Sequence, residues 1–338
     1  MLSITRAEHV MTIGYHASHE QFAPATLLGL ALRAEQAGFE ALMCSDHFHP
    51  WTTAQGQSGH SWVWAGALAV QSGLTLGMVT CPMLRQHPAL VAQAASTLEQ
   101  LAPGRIWLAL GTGEALNERV TGRPWHPKGE RQQALYEAAG VMRRLWAGEQ
   151  VDYRGAFDVR QARLYSRPAL ALPLLGAAVS EQTARWLGGW ADGLITISQP
   201  LPQLRRVVAA FEEGGGAGKP MYLQAKLSYA RAEQAALEGA MEQWGANVLA
   251  PELAENLDQP AQFEARARSV DAGTLRRHVH VSADPRRHLG WLQDLQGLGF
   301  DRIYLHNVNR EQDRFIDDFA AHVLPELRTQ DASPASQA

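Results

Sequence analysis

Val10-Met11-Thr12-Ile13-Gly14-Tyr15-His16 is a short β-rich run that ends in a polar cluster. Ala25 to Ala37 follows it with Leu27, Leu28, Leu30 and Leu32 at helical spacing, and Gly38 closes that stretch. A strand followed by a helix is the unit from which the rest of the chain reads. A doubly wound sheet would place a glycine-rich phosphate turn directly after this first strand. Tyr15, His16 and Ala17 stand there instead. The unit recurs at 40–46 and 62–71, at 74–81 and 89–101, and at 105–111 and 130–147. It continues at 173–178 and 181–190, at 193–198 and 204–213, and at 221–229 before a long helical region. Arg302 to His306 is an eighth strand and Arg314 to Leu327 its helix. Eight strands each followed by helix predict an α/β fold of the (β/α)8 TIM-barrel type, for which ~250 residues is typical.

The surplus length has places to go. About seventy residues, Arg231 to Asp301, separate strands seven and eight and read as inserted helices, with Val279 to Ser282 extended ahead of a helix at 285–298. Smaller excursions lie at 50–60, 117–129 and 152–168, and Gly214 to Gly218 reads as a loop. One domain is expected over 9–327, and the polar segment 328–338 is expected to be disordered.

Composition narrows the function. Of 338 residues, 46% are hydrophobic and 19% charged, the balance of a folded globular chain, and 30 basic against 34 acidic residues form no like-charge stripe for nucleic acid. Met1 to His9 has no apolar leader and no apolar run nears the ~20 residues of a membrane span. Cys44 and Cys81 are the only cysteines and lie in separate apolar segments, which supports neither a disulfide framework nor a thiolate metal site. A cytoplasmic protein without nucleic-acid or membrane partners is expected.

Barrel chemistry sits at the carboxyl ends of the strands. Strand one ends at His16. Strand two runs into Ser45-Asp46-His47-Phe48-His49-Pro50-Trp51, and strand four into Gly111-Thr112-Gly113-Glu114-Ala115-Leu116-Asn117. Thr80 and Cys81 end strand three, Ala177 to Ser180 strand five, Thr196 to Ser198 strand six, Lys226 lies in strand seven, and His306 and Asn307 end strand eight. Acids, imidazoles and an indole at several strand ends point to a site rather than to scattered structural residues. Asp46 and His47 are adjacent in a strand, so one should face the pocket and the other support the structure. His47 and His49 have a His-x-His spacing, but they follow strand two and flank a phenylalanine, so no metal is expected.

With Tyr15-His16-Ala17-Ser18-His19-Glu20-Gln21-Phe22-Ala23-Pro24, the strand-two and strand-four motifs resemble the bacterial luciferase-like superfamily, and more closely its deazaflavin-dependent glucose-6-phosphate dehydrogenase branch. The resemblance implies a luciferase-like barrel that binds a flavin or coenzyme F420, as a homodimer. It implies His47 as the base for the substrate hydroxyl, Trp51 at the reacting centre and Glu114 as the proton-handling partner of the ring. It implies cofactor contacts from Asp46, Met78, Val79, Thr80, Gly113 and Asn117, with a non-prolyl cis peptide at Met78-Val79. The cofactor phosphate is implied at Ala177, Ala178, Val179 and Ser180, where the start of a helix favours an anion.

Where the sugar-phosphate enzymes carry lysines and an arginine, this chain has Pro200, Ala254 and His278, which argues against glucose 6-phosphate as substrate. The strand-three segment Gly77 to Pro82 also reads one residue shorter than in those enzymes. Ala162 to Pro168 and Trp186 to Gly193 resemble a related subgroup that uses FMN, so FMN is expected, with coenzyme F420 as the alternative. The expected function is hydride transfer between the ring and a small organic substrate. The alternatives are an FMNH2- and O2-dependent monooxygenase and a non-catalytic flavin-binding protein.

Overall fold

A computed structural model describes residues 11–331. Eight parallel strands form the barrel: β1 Thr12–His16, β2 Ala41–Ser45, β3 Thr75–Thr80, β4 Ile106–Leu110, β5 Leu174–Ala177, β6 Leu194–Ile197, β7 Met221–Ser228 and β8 Arg302–Asn307. Their helices are α1 Pro24–Gln36, α2 Ser61–Ala69, α3 Pro88–Leu101, α4 Lys128–Trp146, α5 Glu181–Gly188, α6 Leu201–Phe211, α7 Glu233–Trp244 and α8 Gln312–His322. Neighbours pair in sequence order, β8 pairs with β1 and with β7, and Leu194 to Ile197 of β6 align with Met221 to Gln224 of β7, which closes the sheet. The expected (β/α)8 barrel is the observed fold.

Strands buried on both faces read as continuous apolar runs, and β4, Ile-Trp-Leu-Ala-Leu, is buried throughout. One face of the sheet packs against the helices. The other fills the barrel with Met43, Trp107, Leu175, Ile195, Tyr222 and Tyr304. The indole of Trp107 donates from Nε1 to the Tyr304 hydroxyl at 2.9 Å. It fits only because position 77 is glycine: a Cβ there would lie 1.9 Å from the ring. This aromatic floor closes the barrel below the C-terminal strand ends, where the open volume remains.

The insert roofs that end. After α7 it forms a turn at Gly245–Asn247, helices Pro251–Ala254, Pro260–Ala267 and Ala272–Arg276, a strand His280–Val281 beside β7, and helix Pro285–Gln296. It is tied to the loops beneath: the Thr53 amide and hydroxyl donate to Glu264 Oε1 at 2.7 and 2.6 Å, and the Ala115 amide donates to the Glu255 carbonyl at 2.9 Å.

Three expectations change. The excursion at 152–168 contains an antiparallel hairpin, Val151–Arg154 with Asp158–Ala162. Residues 328–331, expected in a disordered tail, belong to helix Leu324–Asp331, and Arg328 donates from Nε to Glu40 Oε1 at 3.2 Å. Residues 9–10 and 332–338 lie outside the described residues. Finally, Met78-Val79 is trans, as is every described peptide bond. Its backbone keeps unbroken parallel register with Cys44 and Ser45 on one side and with Leu108 and Ala109 on the other, so the strand runs straight through that link.

Candidate active site

The C-terminal strand ends and the roof enclose a cavity of about 380 Å³. Its wall includes His47, Trp51, Glu114, Asn117 and Lys226, and the roof adds Trp244 and Phe263. A larger surface depression of about 800 Å³ lies elsewhere, around Tyr229 and Arg286, but its Arg231 is already bound by both oxygens of Asp318.

The strongest polar contact in the cavity joins strand ends that are distant in sequence. His47 Nδ1 lies 2.5 Å from Glu20 Oε1, and the Ser18 hydroxyl donates to Glu20 Oε2 at 2.8 Å. Burial alone would raise the Glu20 carboxyl, but its hydrogen bond to His47 and the imidazole charge bring it down to about 2. Burial would lower His47; the Glu20 hydrogen bond and charge, with Glu114 and Asp46, outweigh it and raise His47. The two shifts agree on a carboxylate–imidazole pair with Nδ1–H donating to Glu20, which leaves Nε2 as the nitrogen free to accept a proton. Trp51 stands edge-to-face against His47, with ring centres 5.4 Å apart, and is backed from the roof by Phe263 at 5.3 Å. Glu20 was missed as a site residue. It lies in the loop after β1, one strand from His47, and a carboxylate at a strand exit was its only sequence signal.

Asp46 and His47, expected on opposite faces of a strand, lie just past the end of β2 and both border the cavity. The Asp46 carboxylate accepts from the Ser61 hydroxyl at 3.0 Å, the Trp62 indole at 3.2 Å, the Thr80 hydroxyl at 2.9 Å and the Gln86 amide at 2.6 Å, and pairs with the Arg85 guanidinium at 3.0 Å. Although it borders the cavity, its oxygens are already spent on the wall. Thr80 is likewise committed to Asp46. Asn117 also builds the wall, its Oδ1 accepting from the Phe48 amide at 2.8 Å and the His49 amide at 3.1 Å, which fixes the loop that carries His47. Glu118, another residue missed in the sequence, lies behind Glu114. Burial raises its carboxyl against the opposing effect of Arg85.

Glu114 begins the short helix Ala115–Glu118, and the Asn117 amide reaches its Oε2 at 3.5 Å. Gly113 has φ +71°, and a Cβ would meet Cys81 Sγ and Glu118 Cγ at 2.8 Å, so both conformation and space require glycine there. Val79, Ala177, Ala178 and Val179 border the cavity on the side of β3 and β5; Met78 is buried in the core outside it. Ser180 caps α5, its hydroxyl accepting from the Thr183 amide at 3.4 Å. Thr196 Oγ1, on β6 and bordering the cavity, is buried without a partner. Ala254 and His278 are in the roof over the cavity, while Pro200 is at the start of α6. Among the described residues no histidine, cysteine and carboxylate group could hold a metal ion, and no helix is long and apolar enough to cross a membrane.

The chain is similar to known proteins. Residues 7–302 match the family described as luciferase-like monooxygenase. An F420-dependent glucose-6-phosphate dehydrogenase from Beutenbergia cavernae is 34% identical over 333 residues, 95% of this chain and 99% of that protein. The one from Intrasporangium calvum is 35% identical, covering 94% and 99%. A solved F420-dependent secondary alcohol dehydrogenase, in complex with an F420-acetone adduct, is 30% identical with a TM-score of 0.88, covering 94% of this chain and 99% of that one.

Proposed function

From the premise that the chain belongs to the luciferase-like monooxygenase family, we propose that it is an F420-dependent dehydrogenase that interconverts a small alcohol and its carbonyl compound, other than glucose 6-phosphate. The observation that carries this reading is the Glu20–His47 pair at the cavity wall, with Glu114 on the same cavity. Relatives at 30% identity and above that are named for F420 favour the deazaflavin over the FMN expected from the sequence.

The residues present fit such a cofactor. Small side chains at the ends of β4 and β5 leave a shelf, Thr196 offers an unspent hydroxyl, and the capped start of α5 provides amides for a phosphate. F420, when bound, supplies two-electron hydride chemistry. His47 Nε2 takes the substrate hydroxyl proton, Glu20 holds the imidazole in the tautomer that permits it, and Trp51 and Phe263 exclude water from the reacting centre. Glu114 holds the second proton position. Ala254 and His278 in the roof bring no fixed cation there, which leaves a phosphoester fewer charge-assisted bonds.

Titrating the purified protein separately with F420 and FMN, and following fluorescence, tests the cofactor. F420 should saturate at lower concentration than FMN. Tighter FMN binding, or binding of neither, defeats the reading.

A homodimer belongs to the same proposal. Helix α2 carries no charged residue, Val63 on it is 73% exposed, and Leu90 on the neighbouring α3 is 61% exposed. Sedimentation should give a dimer for the native protein and a monomer for Val63→Glu with Leu90→Glu; a native monomer refutes it.

A further inference from the structure

Lys226 is a cation on the cavity, with the Glu114 and Glu20 carboxylates near enough to act on it through their charge but not in contact with it. It lies near the end of β7, and its Nζ stands 4.8 Å over the Trp244 ring. Among the described residues no carboxylate forms an ion pair with it. The guanidiniums near the cavity are matched, Arg85 to Asp46 at 3.0 Å and Arg131 to Glu255 at 2.8 Å. An ammonium facing an indole keeps its three donors unspent. Three residues beyond Trp244, in the turn Gly245–Asn247, Asn247 borders the same cavity with its Oδ1 buried and unpartnered. The cavity therefore offers a cation that wants an anionic oxygen and, from Asn247, an acceptor for a donor group other than the reacting hydroxyl.

We propose that Lys226 selects a carboxylate on the substrate, so that the alcohol oxidised at His47 is a hydroxy acid. This rests on the dehydrogenase reading above. Burial lowers Lys226 to about 8, with Glu114 and Glu20 opposing that shift, so the ammonium persists at neutral pH. Burial keeps His16 and His306 on the cavity floor uncharged, and burial and the Lys226 charge lower His278. Glu20 is held by His47 Nδ1 at 2.5 Å. Of the two lysines on the cavity, Lys128 and Lys226, it is Lys226 that stands near the end of β7 against the Trp244 indole. The carbinol carbon loses a hydride to F420 and the hydroxyl loses its proton to His47. The product is an oxo acid whose carboxylate is unchanged.

The test compares kcat/KM of the F420-loaded enzyme for lactate and 3-hydroxybutyrate with kcat/KM for 2-propanol and 2-butanol. Native protein, Lys226→Met and Lys226→Arg are each measured, with folding checked by circular dichroism. The native enzyme should favour a hydroxy acid by roughly 10- to 100-fold, the Met variant should lose that preference, and the Arg variant should keep part of it. A second readout is calorimetric binding of the same carboxylates to cofactor-free protein, which should weaken by a similar factor in Lys226→Met. Alcohols oxidised without preference, or a preference that survives Lys226→Met, overturns the proposal. If carboxylate binding depends on Lys226 but no alcohol reduces F420, the recognition stands and the dehydrogenase reading falls.

Discussion

Replacing His47 by Gln should lower kcat/KM for alcohol oxidation by roughly 10²- to 10⁴-fold, the range a positioned general base contributes, while F420 affinity stays near the native value. The reason is geometric. Nδ1 is held by Glu20 at 2.5 Å, so the proton acceptor is Nε2, and glutamine cannot replace its basicity. Glu20→Gln gives the sharper result because it leaves the base in place and changes its charge environment. The working base is the neutral imidazole, so the rate of alcohol oxidation rises as pH passes upward through the His47 pKa. Burial pulls that pKa down and Glu20 pulls it up, with a net rise above the ordinary value near 6.5. Removing the Glu20 charge should therefore shift the acid limb of the kcat/KM profile to lower pH and lower the plateau. A limb that does not move in Glu20→Gln would show that another group is the base.

Much of this arrangement was legible before the structure. The eight βα units were readable because parallel strands buried on both faces are continuous apolar runs, and the helices between them keep their periodic apolar face. The hairpin at 151–162 was not. Its strands are only four and five residues long, so the alternation of Val151 and Tyr153 with Asp152 and Arg154 is too brief to stand out, although Val151 and Val159 are buried in the core. The strand-two and strand-four motifs border the cavity, but the roles within them were not separable. Asp46, Thr80 and Asn117 have the chemistry of ligand-binding groups, and only the distances reveal that their polar atoms are committed to one another and to the loop backbone. Glu20 escaped for the opposite reason. Its partner lies 27 residues away and meets it only when β1 and β2 pair in register. The roof was read as inserted helices; its position over the cavity follows from side-chain ties such as Thr53 to Glu264, which no local pattern encodes.

Asp46 separates two ways in which a carboxylate can matter at a cofactor cavity. It is 4% exposed and holds Arg85, whose side chain is 10% exposed and whose other carboxylate, Glu118 Oε1, is 3.6 Å away. Asp46→Leu takes from that guanidinium its closest carboxylate, leaving Glu118 and the backbone carbonyl of residue 46, and strands four further donors, from Ser61, Trp62, Thr80 and Gln86. Breaking a buried pair from one side costs about 3–5 kcal/mol. At about 2 °C per kcal/mol for a large domain this lowers Tm by roughly 6–10 °C. Asp46→Asn keeps the shape and one acceptor oxygen, so it should lose distinctly less. The sign of the pH effect follows from the same contacts. Burial raises the Asp46 carboxyl, but Arg85 and the hydroxyls outweigh it and lower the pKa. Its contribution to stability is therefore present above the unfolded value near 3.8 and is lost as pH falls through the lower folded value. A wall residue makes Tm fall further than cofactor affinity in Asp46→Asn. A residue that binds the ring through its charge makes affinity fall while Tm holds, so thermal melting and F420 titration of that one variant decide between them.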